Sequence, residues 1–342
     1  MKKMLKKINI SPIIALVIAF LIGGIFLALC GYNPFYGYQA MFTGAFGSKN
    51  GIFQVLLKTT PLVFCGLAAS MGFRSGVFNI GIEGQLYMGA MCGALVGIYI
   101  KGLPALIHIP LTMAAGCVGG AIWAFIPAIL KLKRNAHEFV TTIMLNYIAV
   151  LLTNFLVNYP FKAEGMTPQT EVVKDSARIA RILPKNQLTW SILFAVAALI
   201  LVYLFFKHTA GGFEMGAVGE NPQAALAEGI SVSKIQIQAM VLSGAIAGLG
   251  GCLEVMGTYG RFIQEFAADI GYNGVAVAIL GNNNPIGVLL GSLLFGSLSY
   301  GGTVMTRSTG IASEFTEVVQ AIVILLVSAP ALIAVCKKRK GR

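Results

Sequence analysis

GVFNIGIEGQLYMGA, residues 76–90, heads an apolar run yet carries two amides, Asn79 and Gln85, and a carboxylate, Glu83. An ionisable group at membrane depth costs about 2.5–3.5 kcal/mol on insertion scales, so its presence there needs a reason. Gly76, Gly81 and Gly84 interleave the polar groups, and each glycine weakens a helix by about 1 kcal/mol relative to alanine. The stretch therefore predicts a helix broken near its start, with polar side chains turned inward.

The rest of the chain supplies the membrane. Of 342 residues, 56% are hydrophobic and only 11% are charged, against about 25% charged in a soluble domain. Apolar runs long enough for a core of about 30 Å recur along the chain. They predict an all-α polytopic transmembrane bundle of about ten spans, at 11–30, 51–71, 77–100, 105–130, 137–159, 187–206, 235–257, 270–281, 286–304 and 316–336. The run 270–281 is too short to cross untilted. The first run lacks a small-residue cleavage site and reads as a retained span rather than a signal peptide. No polar stretch is long enough for a soluble domain, so residues 1–342 read as one transmembrane domain, with an outer loop at 160–186 and an inner loop at 208–234.

The net charge of +12 reads as the positive-inside bias of a bacterial cytoplasmic-membrane protein; no module supports nucleic-acid binding. Lys2, Lys3, Lys6 and Lys7 at one end and Lys337, Lys338, Arg339, Lys340 and Arg342 at the other place both termini in the cytoplasm. Arg74, Lys131, Lys133, Arg134, Lys207 and Lys234 then fall in inner loops. Cys30, Cys65, Cys92, Cys117, Cys252 and Cys336 form no CxxC pair and read as small apolar residues rather than metal ligands or disulfides. Glycines four apart, at Gly89/Gly93/Gly97, Gly116/Gly120, Gly244/Gly248 and Gly287/Gly291, let helix backbones approach closely.

Within 208–234, GENPQAALAEGI at 219–230 has the marks of a short helix outside the membrane. Asn221 suits the N-cap and Pro222 the first helical position. QAALAE favours helix, and Gly229 ends it. Such a capped helix suits docking of a cytoplasmic partner.

Three motifs in this order, GVFNIGIEGQLYMGA at 76–90, TTIMLNYIA at 141–149 and GENPQAALAEGI at 219–230, carry a family resemblance over essentially the whole chain. The sequence resembles the permease subunit of bacterial ATP-binding-cassette importers serving branched-chain amino acids, ribose and nucleosides. It is closest to the nucleoside and simple-sugar branch. The resemblance implies a type II importer permease for nucleosides or a related pentose. In such a permease, Gly219, Glu220, Asn221, Pro222, Gln223, Ala224, Ala225 and Gly229 form the coupling helix held in a groove of the ATPase. It also implies three partners besides membrane lipid: the cytoplasmic ATPase with its ATP-Mg, a second permease, identical or homologous, and an extracytoplasmic substrate-binding protein or lipoprotein. Relatives often carry a basic or aromatic residue where this chain has Leu226 and Glu228, which bears on the docking contacts.

The chain has no GxxxxGK[ST] phosphate loop, so the ATPase must be another polypeptide. His137–Glu138 opens a zinc-protease motif that fails at Thr141. No catalytic or metal-binding set is legible, and no cofactor is assigned to the chain. The candidate substrate pathway comprises Phe78, Asn79, Glu83, Gln85, Tyr87, Asn146 and Tyr147. Asn79, Glu83 and Tyr87, four apart, share a helical face. Amides and a carboxylate suit ribose hydroxyls, and aromatic rings suit a base. Two readings stay open for Glu83: it contacts substrate, or it pairs with Arg74 as a structural lock. An ion-gradient transporter using Glu83 or Glu254 is the alternative function.

Overall fold

The computed structural model describes residues 12–183, 186–312 and 314–326. Among these the chain is helical, and β-structure is confined to two isolated antiparallel bridges, Gln169 with Ile263 and Arg181 with Thr189. In chain order the helices are α1 (Pro12–Leu29), α2 (Pro34–Phe46), α3 (Lys49–Arg74), α4 (Ile82–Tyr99), α5 (Ala105–Arg134), α6 (Glu138–Asn158), α7 (Ser191–His208), α8 (Ala210–Glu220), α9 (Pro222–Ala227), α10 (Val232–Leu253), α11 (Ile270–Leu280) and α12 (Pro285–Thr309). A further helix, α13, covers 314–326. The basic clusters at 2–7 and 337–342, Lys185, Cys336 and the second half of the expected span 316–336 lie outside the described residues.

Among the described residues six helices have the length and apolar content of a membrane span: α3, α5, α6, α7, α10 with its continuation to Tyr259, and α12. Leu16–Leu29 and α11 are apolar but shorter. α4 is not among the six. It carries Glu83 and Gln85 and is buried along most of its length, packed against α5, α6, α10 and α11. A helix wrapped by protein needs no lipid-facing apolar surface, so its hydropathy is free to fall.

The chain divides into two compact units. One unit comprises 59–292. Its centre is the contact of α4, α5 and α10, where glycines replace side chains. Gly120 meets Gly244 and Gly248, Gly248 meets Gly116, and Gly89 meets Gly248, each so closely that no Cβ could be placed. Small residues at four-residue spacing make this approach possible. The surrounding core includes Ile82, Leu86, Met91, Ala247 and Phe262. α10 passes into a π-helix at Glu254–Tyr259, a form that recurs as single-turn bulges within α-helices.

The other unit comprises the chain through Lys58 together with that from Leu293. Its described core contains Leu27, Met41, Leu298, Met305, Ile311, Phe315 and Val319. The Tyr38 hydroxyl donates to the Phe20 carbonyl at 2.6 Å.

Two helices depart from the sequence expectation. α2 starts where Asn33 accepts from the Phe35 N–H (3.0 Å) and Pro34 takes the first position. α8 occupies residues read as loop, because Gly211, Gly212, Gly216 and Gly219 argue against a helix on propensity. Close packing overrides propensity here: a Cβ on Gly212 would strike the Phe205 backbone, and Thr209 caps the helix by accepting from the Gly212 N–H (3.1 Å). α4 begins at Ile82 rather than 77, whereas α9, running to Ala227, is terminated by Gly229 at φ +84° as expected.

Candidate translocation site

The break before α4 is built from its own side chains. α3 ends at Arg74, and Gly76 turns the chain with φ +73°, a conformation that strains other residues. Asn79 then ties the turn together. Its Oδ1 accepts from the Gly81 N–H (2.9 Å), and it exchanges two 3.0 Å hydrogen bonds with the Gln85 amide. Asn79 Nδ2 also donates to Ser243 Oγ (2.8 Å), which donates to the Ala68 carbonyl (2.6 Å). Two buried amides and one hydroxyl thus join α3, α4 and α10. Buried polar groups need such partners.

Asn146 works from α6. Its Oδ1 accepts from the Gly84 N–H (2.9 Å), and its Nδ2 donates to the Ile80 carbonyl (2.9 Å) and lies 3.1 Å from the Tyr272 hydroxyl. Both backbone groups belong to the irregular start of α4, where helical partners are missing.

Glu83 supports a second break. Its Oε1 accepts from the Asp269 N–H (3.0 Å) and its Oε2 from the Gly271 N–H (2.5 Å). These are donors at the N-terminus of α11, where unpaired N–H groups and the helix dipole favour an anion. Tyr87, one turn further along α4, accepts from the Ala267 N–H at 3.3 Å. The Glu83–Arg74 lock does not form. Arg74 instead lies 4.2 Å above the Phe206 ring, a cation–π contact, while the carboxylate is spent on backbone donors. The spans read from sequence, 235–257 and 270–281, leave 258–269 as a connection with Asp269 at its end, and give no sign that it runs along another helix. Residues 260–269, irregular and bearing Glu265 and Asp269, run beside α4 to the start of α11.

The seven pathway candidates therefore fall into two groups. Asn79, Glu83, Gln85, Tyr87 and Asn146 are buried and bonded to backbone or to each other, whereas Phe78 is 56% exposed and Tyr147 61% exposed.

Asn221 caps α9, its Oδ1 accepting from the N–H groups of Gln223 (3.1 Å) and Ala224 (3.2 Å). Pro222 occupies the first turn, and Gly229 follows the helix with φ +84°. Ala225 is 3% exposed, packed with Met215, Val218, Ile235 and Ala239, so α9 is fastened to α8 and α10. Glu220, Gln223 and Ala224 are exposed, and Leu226 is 65% exposed. Gly219 lies against the Arg74 carbonyl and the backbone of Gly76. Glu138, from the failed zinc motif, pairs with Lys131 at 3.0 Å.

Membrane-length helices, a buried polar helix entered through an irregular turn, and a capped helix set on glycine-rich α8 make up a multi-pass membrane protein. The family described as the branched-chain amino acid transport system permease component matches residues 51–328, and the chain belongs to it. It is similar to the nucleoside ABC transporter permease protein NupB of Lactococcus lactis subsp. cremoris (strain MG1363), with 36% identity over 334 residues, 95% of this chain and 92% of the relative. The guanosine ABC transporter permease protein NupP of Bacillus subtilis (strain 168) is 35% identical over 338 residues, 95% of each chain. The glucose ABC transporter permease protein TsgB13 of Haloferax volcanii is 34% identical over 326 residues, 92% of this chain and 86% of the relative.

Proposed function

We propose that this chain is the permease subunit of an ATP-driven importer and carries nucleosides across the bacterial cytoplasmic membrane. The observation that carries the reading is the match along nearly its whole length to permeases named for nucleosides and guanosine. The finer proposals are a single permease domain over 1–342, about ten spans, and both termini in the cytoplasm. A separate ATPase binds ATP-Mg, a second permease, identical or homologous, completes the pathway, and a substrate-binding protein delivers the solute from outside.

The geometry supports a route for the motion. Residues Gly219 to Gly229 form the proposed contact with the ATPase, and Gly219 touches the turn that opens into α4. From there Glu83 holds the start of α11. A shift of α8 and α9 is then passed to both irregular segments at once, which suits a switch between two packed states. In this reading Phe78 and Tyr147 face solute, while Asn79, Glu83, Gln85, Tyr87 and Asn146 hold the frame.

The glucose permease at 34% identity favours a simple sugar as the second reading. Uptake of labelled guanosine into proteoliposomes containing the whole complex, with ATP inside and competitors outside, tests both. Nucleosides compete if the proposal holds, and glucose competes if the second reading does. Guanosine movement by the purified chain alone, under a proton or sodium gradient, overturns the ATP-driven reading.

A further inference from the structure

The irregular segment 260–269 runs along α4 for most of the helix. At one end the Val173 N–H donates to the Gly260 carbonyl (2.9 Å) while the next residue, Lys174, donates to the Gly97 carbonyl (3.0 Å). At the other end Asp269 and Gly271 are held by Glu83. Gly97 and Glu83 are fourteen residues apart on one helix, or roughly 21 Å. Non-helical backbone therefore descends well into the depth of the membrane. Such backbone is tolerated only where protein buries it or where it lines water.

Its side chains distinguish the two. Glu265 and Asp269 both adopt positive φ (55° and 64°), and both are exposed, as is Ala268 between them. The ion pairs among the described residues, Lys131 with Glu138 and Arg178 with Asp175, include neither carboxylate. A carboxylate without a cationic partner is costly against lipid and as a rule faces the bundle interior or water. α6 continues the polar surface. Asn154 Nδ2 lies 3.4 Å from Glu265 Oε1, and Asn158 Nδ2 donates to Gln264 Oε1 at 3.1 Å. Asn154 Oδ1 is buried without a partner. Tyr147, exposed on the same flank of α6 seven residues before Asn154, adjoins Asn146, which bonds Tyr272.

We propose that the seam between α6 and residues 264–272 is the solute-facing wall of the permease, with Glu265, Asp269 and Asn154 as hydrogen-bonding groups and Tyr147 and Tyr272 as aromatic surfaces. Carboxylates only accept hydrogen bonds, so they fit a solute rich in donors, such as the ribose diol and the N–H edge of a purine. The tyrosines fit the faces of a base. The solute class rests on the nucleoside reading; the placement of the wall does not.

The test uses the whole complex in membranes, in a Cys30→Ser, Cys336→Ser background: Cys30 is the exposed thiol among the described residues, and Cys336 lies outside them. Ala268→Cys is compared with Leu201→Cys, which lies on the exposed apolar side of α7, using a charged, membrane-impermeant methanethiosulfonate. Position 268 should react about tenfold faster or more, since the reagent follows water, and guanosine should slow it. Equal, slow reaction at both positions overturns the wall. Fast reaction at 268 that glucose slows and guanosine does not leaves the wall standing and overturns the nucleoside reading. Asp269→Asn keeps the backbone donor to Glu83. It should raise the KM for uptake or lower kcat by about tenfold with ATPase co-purification unchanged. Unaltered uptake in both Asp269→Asn and Glu265→Gln removes these carboxylates from the wall.

Discussion

The Cα of Gly219 rests against the main-chain carbonyl of Arg74, with no room for a Cβ between them. The helical hairpin α8–α9 thus bears directly on the turn that leads into α4. Gly219→Val inserts side chain into a backbone contact, and overpacking of this kind costs about 1–3 kcal/mol. The expected result is nucleoside uptake reduced about tenfold or more, with ATP hydrolysis by the assembled complex retained. Uptake and hydrolysis measured on the same proteoliposomes check it. Parallel loss of both activities would point to failed assembly instead.

Glu83 accepts from two backbone donors, one with each oxygen. Glu83→Gln leaves a single oxygen acceptor and turns an amide N–H toward the second donor. A buried donor left unpaired costs about 1–3 kcal/mol. The variant should melt lower than the parent and lose uptake, through disorder at the start of α11. Arg74→Ala should leave both Glu83 bonds in place and cost only the contact with Phe206, about 0.5–2 kcal/mol. Thermal unfolding of the two purified variants decides the order. Equal destabilisation by Arg74→Ala and Glu83→Gln would contradict it.

Asn79 and Ser243 offer a pairwise test of the frame. Their 2.8 Å bond joins the turn before α4 to α10, and Ser243 passes on to Ala68. Asn79→Ala also strands the Gln85 amide and the Gly81 N–H, so it should cost more than Ser243→Ala. Because the two share one buried network, their effects should fall short of additivity by about 0.5–3 kcal/mol. Additive losses in a double-mutant cycle would show that the network does not act as a unit.

Much of this was legible in the sequence because the signals are local. Asn221 and Pro222 mark a helix start through backbone chemistry that needs no tertiary contact, and the structure bears out that cap. Glu83 announces an unusual environment by its cost alone. Its partner was not legible, because a carboxylate whose bonds go to main-chain N–H groups 186 and 188 residues away leaves no side-chain signature. Arg74, nearer in sequence and oppositely charged, was the natural candidate and found an aromatic ring instead. α8 was hidden for a related reason. Gly212 and Gly219 weigh against helix locally, yet each is small because backbone lies against it. The course of 260–269 was not legible because hydropathy leaves it between two spans, while it is held by Glu83 and Tyr87 from another helix.

Leu226 and Ala225 are neighbours with opposite surroundings, and the difference determines how docking should be tested. Ala225 is 3% exposed within the α8–α10 core, while Leu226 is 65% exposed. Ala225→Asp would bury an unpaired charge and break the hairpin itself, so a lost ATPase would say nothing of the surface. Leu226→Arg changes only the outward face. It should strip the ATPase from the detergent-purified complex, with a weakening of about 2 kcal/mol if Leu226 is a docking anchor, while the permease keeps its own melting temperature. Asn221→Ala should give a milder loss, since removal of an N-cap costs about 1 kcal/mol and only loosens the helix that presents Leu226. ATPase retained in full by Leu226→Arg would move the docking surface away from α9.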